Sequence, residues 1–375
     1  MTSTLNEPAR PAADAQEALS ATVSGSLAAA LRRSAEIERR IGENPRSFRI
    51  LTGDRPTGHL HLGHYFGTLH NRVRLQDAGV QLFVLIADYQ VLTDRDTAEA
   101  AGQHAIGLVL DYLAAGIDPA RSVIFAHSAV PELNQLVLPF LSLVTVPELQ
   151  RNPTVKDEIA HSRQASVSGL MFTYPVHQAA DILCVKGNLV PVGQDQLPHL
   201  ELTRLIARRF NERYPGPGGA GVFPEPEALL SDAPLLLGTD GGKMSKSRGN
   251  AIELRATADE TARLIKGAKT DAVRHISYDP AGRPAVSSLV LLAALAMDAD
   301  PVTVSDGIGD GGAALLKRTV TDAVNERLAP LRARRAELAA DPGYARQVLR
   351  DGCERARAVA AATLDEVRDA MGTRY

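Results

Sequence analysis

The stretch TGDRPTGHLHLGHYFGTL, residues 52–69, follows an apolar run and predicts a nucleotide-binding turn. Apolar residues at 48–51 indicate a short buried strand, and the glycines and proline after it indicate a loop. From Leu60 apolar residues recur at near-helical spacing, so the loop leads into a helix N-terminus, where free N–H groups favour an anion. His61 and His64 share one face of the first turn and can donate to an oxygen that gains charge, whereas His59 is expected to face solvent. Taken alone, the stretch also fits a strand–turn–helix unit that binds no nucleotide.

The composition describes a globular chain without a strong charge bias. Of 375 residues, 45% are hydrophobic and 23% are charged, which suffices to bury a core. The net charge of −3 neither favours nor excludes a nucleic-acid partner. Two cysteines, Cys184 and Cys353, are too few for a disulfide framework or a thiolate zinc site, and no apolar run approaches about 18 residues. We therefore expect a cytoplasmic protein with no membrane segment and no metal-binding residues of its own.

Strand and helix patterns alternate from residue 48 onward and predict an α/β fold with a doubly wound, parallel, Rossmann-like sheet. Strands are expected near 48–52, 82–87, 123–126 and 189–192, and helices near 60–77, 96–115, 131–144 and 195–214. An apolar segment covers 168–185, and the Gly- and Pro-rich residues 215–228 predict a surface excursion. Ligands of such sheets bind at the carboxyl ends of the strands.

Beyond residue 255 the strand signals stop. We expect helices at 258–266, 286–297, 313–335 and 344–371, and a domain boundary near 255–285. The predicted division is an N-terminal extension at 1–46, disordered to about residue 26 and helical near 27–41, a catalytic domain at 47–255, and an all-helical region at 256–375.

A second motif, KMSKS at residues 243–247, lies on a glycine-flanked polar loop. Its two lysines are placed to close over a polyphosphate, although a solvated surface loop has the same composition. Together with the motif HLGH at residues 61–64, all five positions of KMSKS resemble the paired signature of class I aminoacyl-tRNA synthetases. By that resemblance, residues 52–69 are expected to form one half of an adenylate-forming site.

The segment TYPVHQAADILCVKGNLVPVGQDQ, residues 173–196, hints at the substrate. Tyr174, Gln178 and Asp181 fall at i, i+4 and i+7, so a hydroxyl, an amide and a carboxylate share one helix face. The segment resembles the tryptophanyl-tRNA synthetase pattern, and that resemblance covers roughly residues 47–372. It implies that Asp181 accepts the indole N–H and that Tyr174 and Gln196 contact the ammonium or carboxylate end.

The resemblance implies that L-tryptophan is activated with ATP and Mg²⁺ and is then transferred to tRNA(Trp) by a homodimer, with the helical region binding the anticodon. The implied catalytic residues are His61, His64, Lys243 and Lys246. The implied ATP contacts are Gly53, Arg55, Gly63, Lys156, Asp195, Lys243, Met244, Ser245, Lys246 and Ser247. The implied tryptophan contacts are Leu51, Gln90, Tyr174, Gln178, Asp181 and Gln196. The basic residues expected to contact tRNA are Lys317, Arg318, Arg332, Arg334 and Arg335.

Three positions depart from many bacterial members of that family. Leu51, Gln90 and Gln178 stand where those members carry Phe, His and Met, and the departures resemble a divergent, auxiliary subgroup that tolerates the antibiotic indolmycin. The Tyr-x₃-Gln-x₂-Asp spacing is also found in tyrosyl-tRNA synthetases, although PVGQDQ at 191–196 favours tryptophan. A tyrosyl enzyme and a non-charging paralogue that binds tryptophan or RNA therefore stay open as alternatives.

Overall fold

The computed structural model describes residues 29–93, 98–153, 155–156, 168–193, 196–230, 236–245 and 248–375. In these ranges, one parallel sheet has the strand order β3-β2-β1-β4-β5. The strands are β1 Arg49–Asp54, β2 Gln81–Ile86, β3 Val123–Ala126, β4 Leu189–Val192 and β5 Glu227–Leu230. The strand order reverses between β1 and β4, which makes this the point where ligands of doubly wound sheets bind. The predicted fold class is confirmed.

The helices follow the sequence pattern closely. A first helix, α1, occupies residues 29–43, and α2 has three consecutive parts: Leu62–His64, a π-helical turn at Tyr65–Leu69, and His70–Ala78. The other sheet-associated helices are α3 Ala98–Ala115, α4 Pro131–Leu141, α5 Val146–Arg151, α6 Gly169–Cys184 and α7 Leu197–Arg213. The later helices are α8 Ala258–Lys266, α9 Pro284–Met297, α10 Pro301–Ile308, α11 Gly312–Ala340 and α12 Pro342–Met371.

The predicted surface excursion at 215–228 was wrong for its last two residues. Glu227 and Ala228 begin β5, which pairs with β4 through Leu189 and Val190. The Glu227 carboxylate accepts hydrogen bonds from Arg33 and Arg40 of α1. This edge strand is therefore defined by contacts with distant segments, which local turn composition does not reveal. The tail predicted to be disordered at 1–26 lies outside the described residues.

The last helix returns to the sheet. Helix α12 packs against β3 and α4, and a Cβ on Gly352 would lie 1.9 Å from the Ile124 carbonyl oxygen. Arg355 donates to the backbone carbonyls of Pro119 and Ser122. The C-terminal helix thus covers the sheet edge, and the division at residue 255 stays a prediction.

No single helix within the described ranges is long and apolar enough to cross a membrane; only α9 taken together with residues 301–340, bent by 111°, meets such a test.

Candidate active site

A cavity of about 1030 Å³ opens at the carboxyl ends of β1 and β4. It joins residues from both sequence motifs to the face of α6 that carries Asp181. The predicted site residues that line it are Leu51, Gly53, Arg55, His61, Gly63, His64, Gln90, Tyr174, Gln178, Asp181, Gln196, Lys243, Met244 and Ser245. Lys156 is exposed and is not among the lining residues. Asp195, Lys246 and Ser247 lie outside the described residues.

The two histidines stand at the start of α2. His61 is buried, His64 is half-buried, and their ring centroids are 3.8 Å apart. The His61 backbone N–H donates to Nδ1 of His64 over 3.3 Å, so the neutral His64 ring carries its proton on Nε2. A Cβ on Gly63 would lie 3.0 Å from the His61 ring, which explains the glycine between them. The π-helical turn follows at once, and such turns occur often at functional sites.

His59 does not face open solvent as expected. It is half-buried against α3, with its ring centroid 5.8 Å from that of His104 in an edge-to-face arrangement. Burial and the nearby Arg255 lower the pKa of His59 to about 4. The ring is therefore neutral at physiological pH and supports the loop by packing.

A buried ion pair that the sequence reading missed fixes the end of β1. Arg72 donates to Asp54 Oδ2 over 2.5 Å and to the Gly53 carbonyl over 3.3 Å, and the Tyr112 hydroxyl donates to the same carboxylate oxygen over 2.7 Å. Burial opposes ionisation of Asp54, but Arg72 outweighs it and holds the pKa of the carboxyl well below its ordinary value. Because the charges of Arg72 and Asp54 neutralise each other, we assign the pair the role of fixing the position of the end of β1. The sign of this pair in the sequence was Asp54, which lies just after the strand predicted at 48–52.

The two motifs are joined through the backbone. The Leu62 N–H donates to the Ile252 carbonyl and the Leu254 N–H donates to the Leu60 carbonyl, each over 2.9 Å, so His61 and Glu253 form an antiparallel bridge. The segment that follows the lysine loop therefore pairs directly with the histidine turn.

The histidine turn also has a contact with the C-terminal part of the chain. The buried carboxylate of Asp111 on α3 accepts the Leu60 N–H over 3.4 Å, and its other oxygen accepts Arg335 Nε of α11 over 2.6 Å. Burial raises the pKa of Asp111 although Arg335 opposes this. Arg335, predicted as a tRNA contact, thus pairs within the chain.

Asn250 holds the lysine loop from within. Its side-chain amide donates to Asp240 Oδ1 over 2.7 Å and to the Lys243 carbonyl over 3.0 Å, and its oxygen accepts the Ser245 N–H over 2.8 Å. Asn250 is buried, and so is Met244, which lies between Lys243 and Ser245. The backbone on both sides of Met244 is therefore fixed, while the Lys243 side chain is exposed at the cavity. The dipeptide Gly249-Asn250 at the end of the loop was the only sequence signal.

The opposite end of the cavity is formed by α6 and its neighbours. The Tyr174 hydroxyl lies 2.9 Å from His199 Nε2, and His199 itself lines the cavity. Gln90 and Gln178 are half-buried, whereas Asp181 is buried with Oδ1 2.9 Å from Nε2 of the buried His127. This arrangement offers one carboxylate and two amides to a ligand ring. His127 and His199 were both absent from the predicted site.

Comparison with known proteins identifies chains that are similar to this one. The family model for class I tRNA synthetases (W and Y) matches residues 43–326. The tryptophan–tRNA ligase of Treponema pallidum is 44% identical over 331 residues, which are 86% of this chain and 96% of that protein. That of Streptococcus pyogenes serotype M1 is 44% identical over 339 residues, 87% and 98% of the two chains. The structure of tryptophanyl-tRNA synthetase from Campylobacter jejuni complexed with ADP and tryptophan has a TM-score of 0.73 and 29% identity, and the match covers 87% of this chain and 100% of that one.

Proposed function

The chain belongs to the class I tRNA synthetases of the tryptophan and tyrosine group, and on that premise we propose that it activates L-tryptophan with ATP and transfers it to tRNA(Trp). The observation that carries the proposal is a single cavity lined by His61, His64 and Lys243 on one side and by Gln178 and Asp181 on the other. A nucleotide and an aromatic amino acid can occupy such a cavity side by side. The three stretches of chain that supply these groups meet only in the folded protein.

In the proposed reaction, the tryptophan carboxylate attacks the α-phosphorus of ATP, and pyrophosphate leaves. The terminal ribose hydroxyl of the tRNA then takes the acyl group and AMP is released. No covalent enzyme intermediate is required, so catalysis rests on positioning and on charge stabilisation. His61 and His64 donate to the α-phosphate oxygens, while the backbone at Gly53 and Gly63 lies against the nucleotide.

Positive charge for the leaving pyrophosphate comes from the lysine loop. Lys243, and Lys246 by the resemblance, neutralise the departing oxygens. Mg²⁺ enters with ATP as part of the substrate, since the cavity carboxylates Asp54 and Asp181 already pair with Arg72 and His127. The ion adds further charge neutralisation on the phosphates. Arg55 is proposed to contact ATP, Asp195 the ribose, and Lys156 the pyrophosphate, although the side chain of Lys156 would have to reach the cavity from outside its wall.

Selection of tryptophan is assigned to Asp181. A buried carboxylate needs a donor, so a ligand without a ring N–H leaves it unsatisfied and binds less well. Leu51, Gln90 and Gln178 form the wall around the ring, and Gln196 with the Tyr174–His199 pair is assigned to the ammonium and carboxylate end. Because Gln90 and Gln178 both line the cavity, they are also the basis for the proposed indolmycin tolerance.

The tRNA is proposed to contact the helical region, and the structure narrows the candidates. Lys317 donates to the Lys266 carbonyl and Arg332 donates to Thr261 and Asn325, so these side chains brace the helices. Arg318 and Arg334 of α11 are exposed. We therefore assign phosphate contacts first to these two arginines.

A homodimer is proposed because two large apolar side chains are exposed on consecutive helices. Leu138 of α4 is 77% exposed and Val146 of α5 is 58% exposed. Burying these side chains against a second copy removes apolar surface from water. Light scattering after size exclusion should give twice the chain mass for the native protein and a monomer for Leu138→Glu. A cytoplasmic location is proposed from Cys184 and Cys353, which are both buried and free.

ATP–pyrophosphate exchange against each amino acid tests the function. We expect exchange with L-tryptophan, charging of tRNA(Trp), and weak inhibition by indolmycin relative to an ordinary bacterial enzyme. Exchange driven by L-tyrosine would overturn the substrate assignment and leave the reaction standing. Absence of exchange together with tryptophan binding would indicate the non-charging paralogue.

A further inference from the structure

His127 lies behind Asp181 and does not line the cavity. It begins the 3₁₀ turn His127–Ala129 directly after β3 and is fully buried. Its Nε2 is 2.9 Å from Asp181 Oδ1, and its Nδ1 is 3.9 Å from Asp88 Oδ1. The imidazole therefore lies between two carboxylates, one from α6 and one from the turn after β2.

The groups around this imidazole decide its charge. Tyr89 stacks on His127 at 6.1 Å between ring centroids, and His177 meets it edge-to-face at 4.7 Å. Burial works against a cation here, but Asp181 and Asp88 outweigh it and raise the pKa of His127. Burial lowers the pKa of His177. Its Nε2 lies 2.9 Å from Oδ1 of Asn134, which carries no charge. The pKa values of the two neighbouring histidines therefore shift in opposite directions.

We propose that His127 is a positioning residue for the amino-acid substrate: its ring holds one oxygen of Asp181 and leaves the other oxygen for the ring N–H of the ligand. The inference rests on the proposed function above, because it concerns the same pocket. A carboxylate whose orientation is already fixed by a second group loses less freedom when it accepts the ring N–H, so the ligand binds more tightly.

The same side chains are also of the types that bind a metal ion. Ligand atoms of His127, His177 and Asp181 lie within 4.8 Å of one another, a spacing that a metal ion can bridge. The observed contacts favour the ion pair, since His177 Nε2 is directed to Asn134 and not to Asp181. A stoichiometric metal in the purified protein, whose removal by chelation abolishes tryptophan binding, would overturn the proposal.

Direct ligand binding provides the test. The chain contains no tryptophan, so the fluorescence anisotropy of added L-tryptophan reports binding without tryptophan emission from the protein. In His127→Gln, whose flexible side chain does not hold Asp181 in one orientation, we expect a Kd for L-tryptophan raised roughly tenfold over that of the native protein.

His177→Gln is the matched control, a change of the same kind at the neighbouring buried ring, and it should keep the native Kd. In steady-state exchange, His127→Gln should raise KM for tryptophan and leave kcat nearly unchanged, whereas a general loss of structure would affect both. A His127→Gln protein with the native Kd overturns the inference and leaves the proposed function intact. A native protein that binds no tryptophan overturns the function itself. If His127→Gln does not fold, His127→Asn provides the same test, and a native Kd in that variant rejects the proposal.

Discussion

Replacing Asn250 by alanine tests whether the lysine loop must be held in place for catalysis. The substitution removes three partly buried hydrogen bonds, to Asp240, to the Lys243 carbonyl and from the Ser245 N–H. Each such bond contributes about 1 kcal/mol net, so the ordered loop loses about 3 kcal/mol. If the reaction requires the ordered loop, this difference corresponds to about a hundredfold slower adenylate formation.

The assay is the kcat of ATP–pyrophosphate exchange, measured beside thermal unfolding. Asn325→Ala is the matched control, because Asn325 also makes two side-chain hydrogen bonds, with the Ala258 carbonyl and with Arg332, far from the cavity. We expect its exchange rate to stay near the native value. An Asn250→Ala protein that is folded and exchanges within about threefold of native would refute the argument that this side chain positions Lys243.

Further substitutions test the histidine turn, the contact of α12 with β3, and the burial of His59. His61→Ala and His64→Ala should each slow adenylate formation by about tenfold to a thousandfold in single-turnover assays, and native rates in both would exclude them as phosphate donors. Gly352→Ala should destabilise the protein by about 3 kcal/mol in urea unfolding, because its Cβ meets the Ile124 carbonyl at 1.9 Å, and an unchanged midpoint would show that α12 shifts freely. Folding lowers the pKa of His59 to about 4, so the unfolded state takes up a proton that the folded state does not as the pH drops from about 6.5 to 4, and the free energy of unfolding should fall. In His59→Gln this fall should be shallower, and an equal slope would contradict the lowered pKa of His59.

The elements that the sequence predicted best are those with a strong local signal. Three elements have the predicted bounds: the strands Val123–Ala126 and Leu189–Val192 and the helix Ala258–Lys266. An apolar run between turn residues predicts a strand, and a capped amphipathic repeat predicts a helix, without knowledge of distant contacts. The strand Glu227–Leu230 was missed, since its identity depends on pairing with β4 and on ion pairs with α1.

The site divides in the same way. The motif residues His61, His64 and Lys243 and the carboxylate Asp181 were predicted from residue types at short, fixed spacing, and the cavity brings them together. Their supporting residues were not predicted, because each contacts its partner only in the folded chain: Arg72 and Tyr112 at Asp54, and His127 at Asp181. Such pairs leave no periodic trace in the sequence.

The sequence by itself determined the parallel α/β class, the two motifs HLGH and KMSKS and the helix face that carries Asp181, since all three are encoded in local spacing. The tertiary structure alone decided that Asn250 fixes the lysine loop, that the segment after this loop pairs with the histidine turn, and that a buried imidazole lies behind Asp181. The physical reason is that hydrogen bonds and charge pairing act over a few ångströms in space, and only the folded chain brings those groups together.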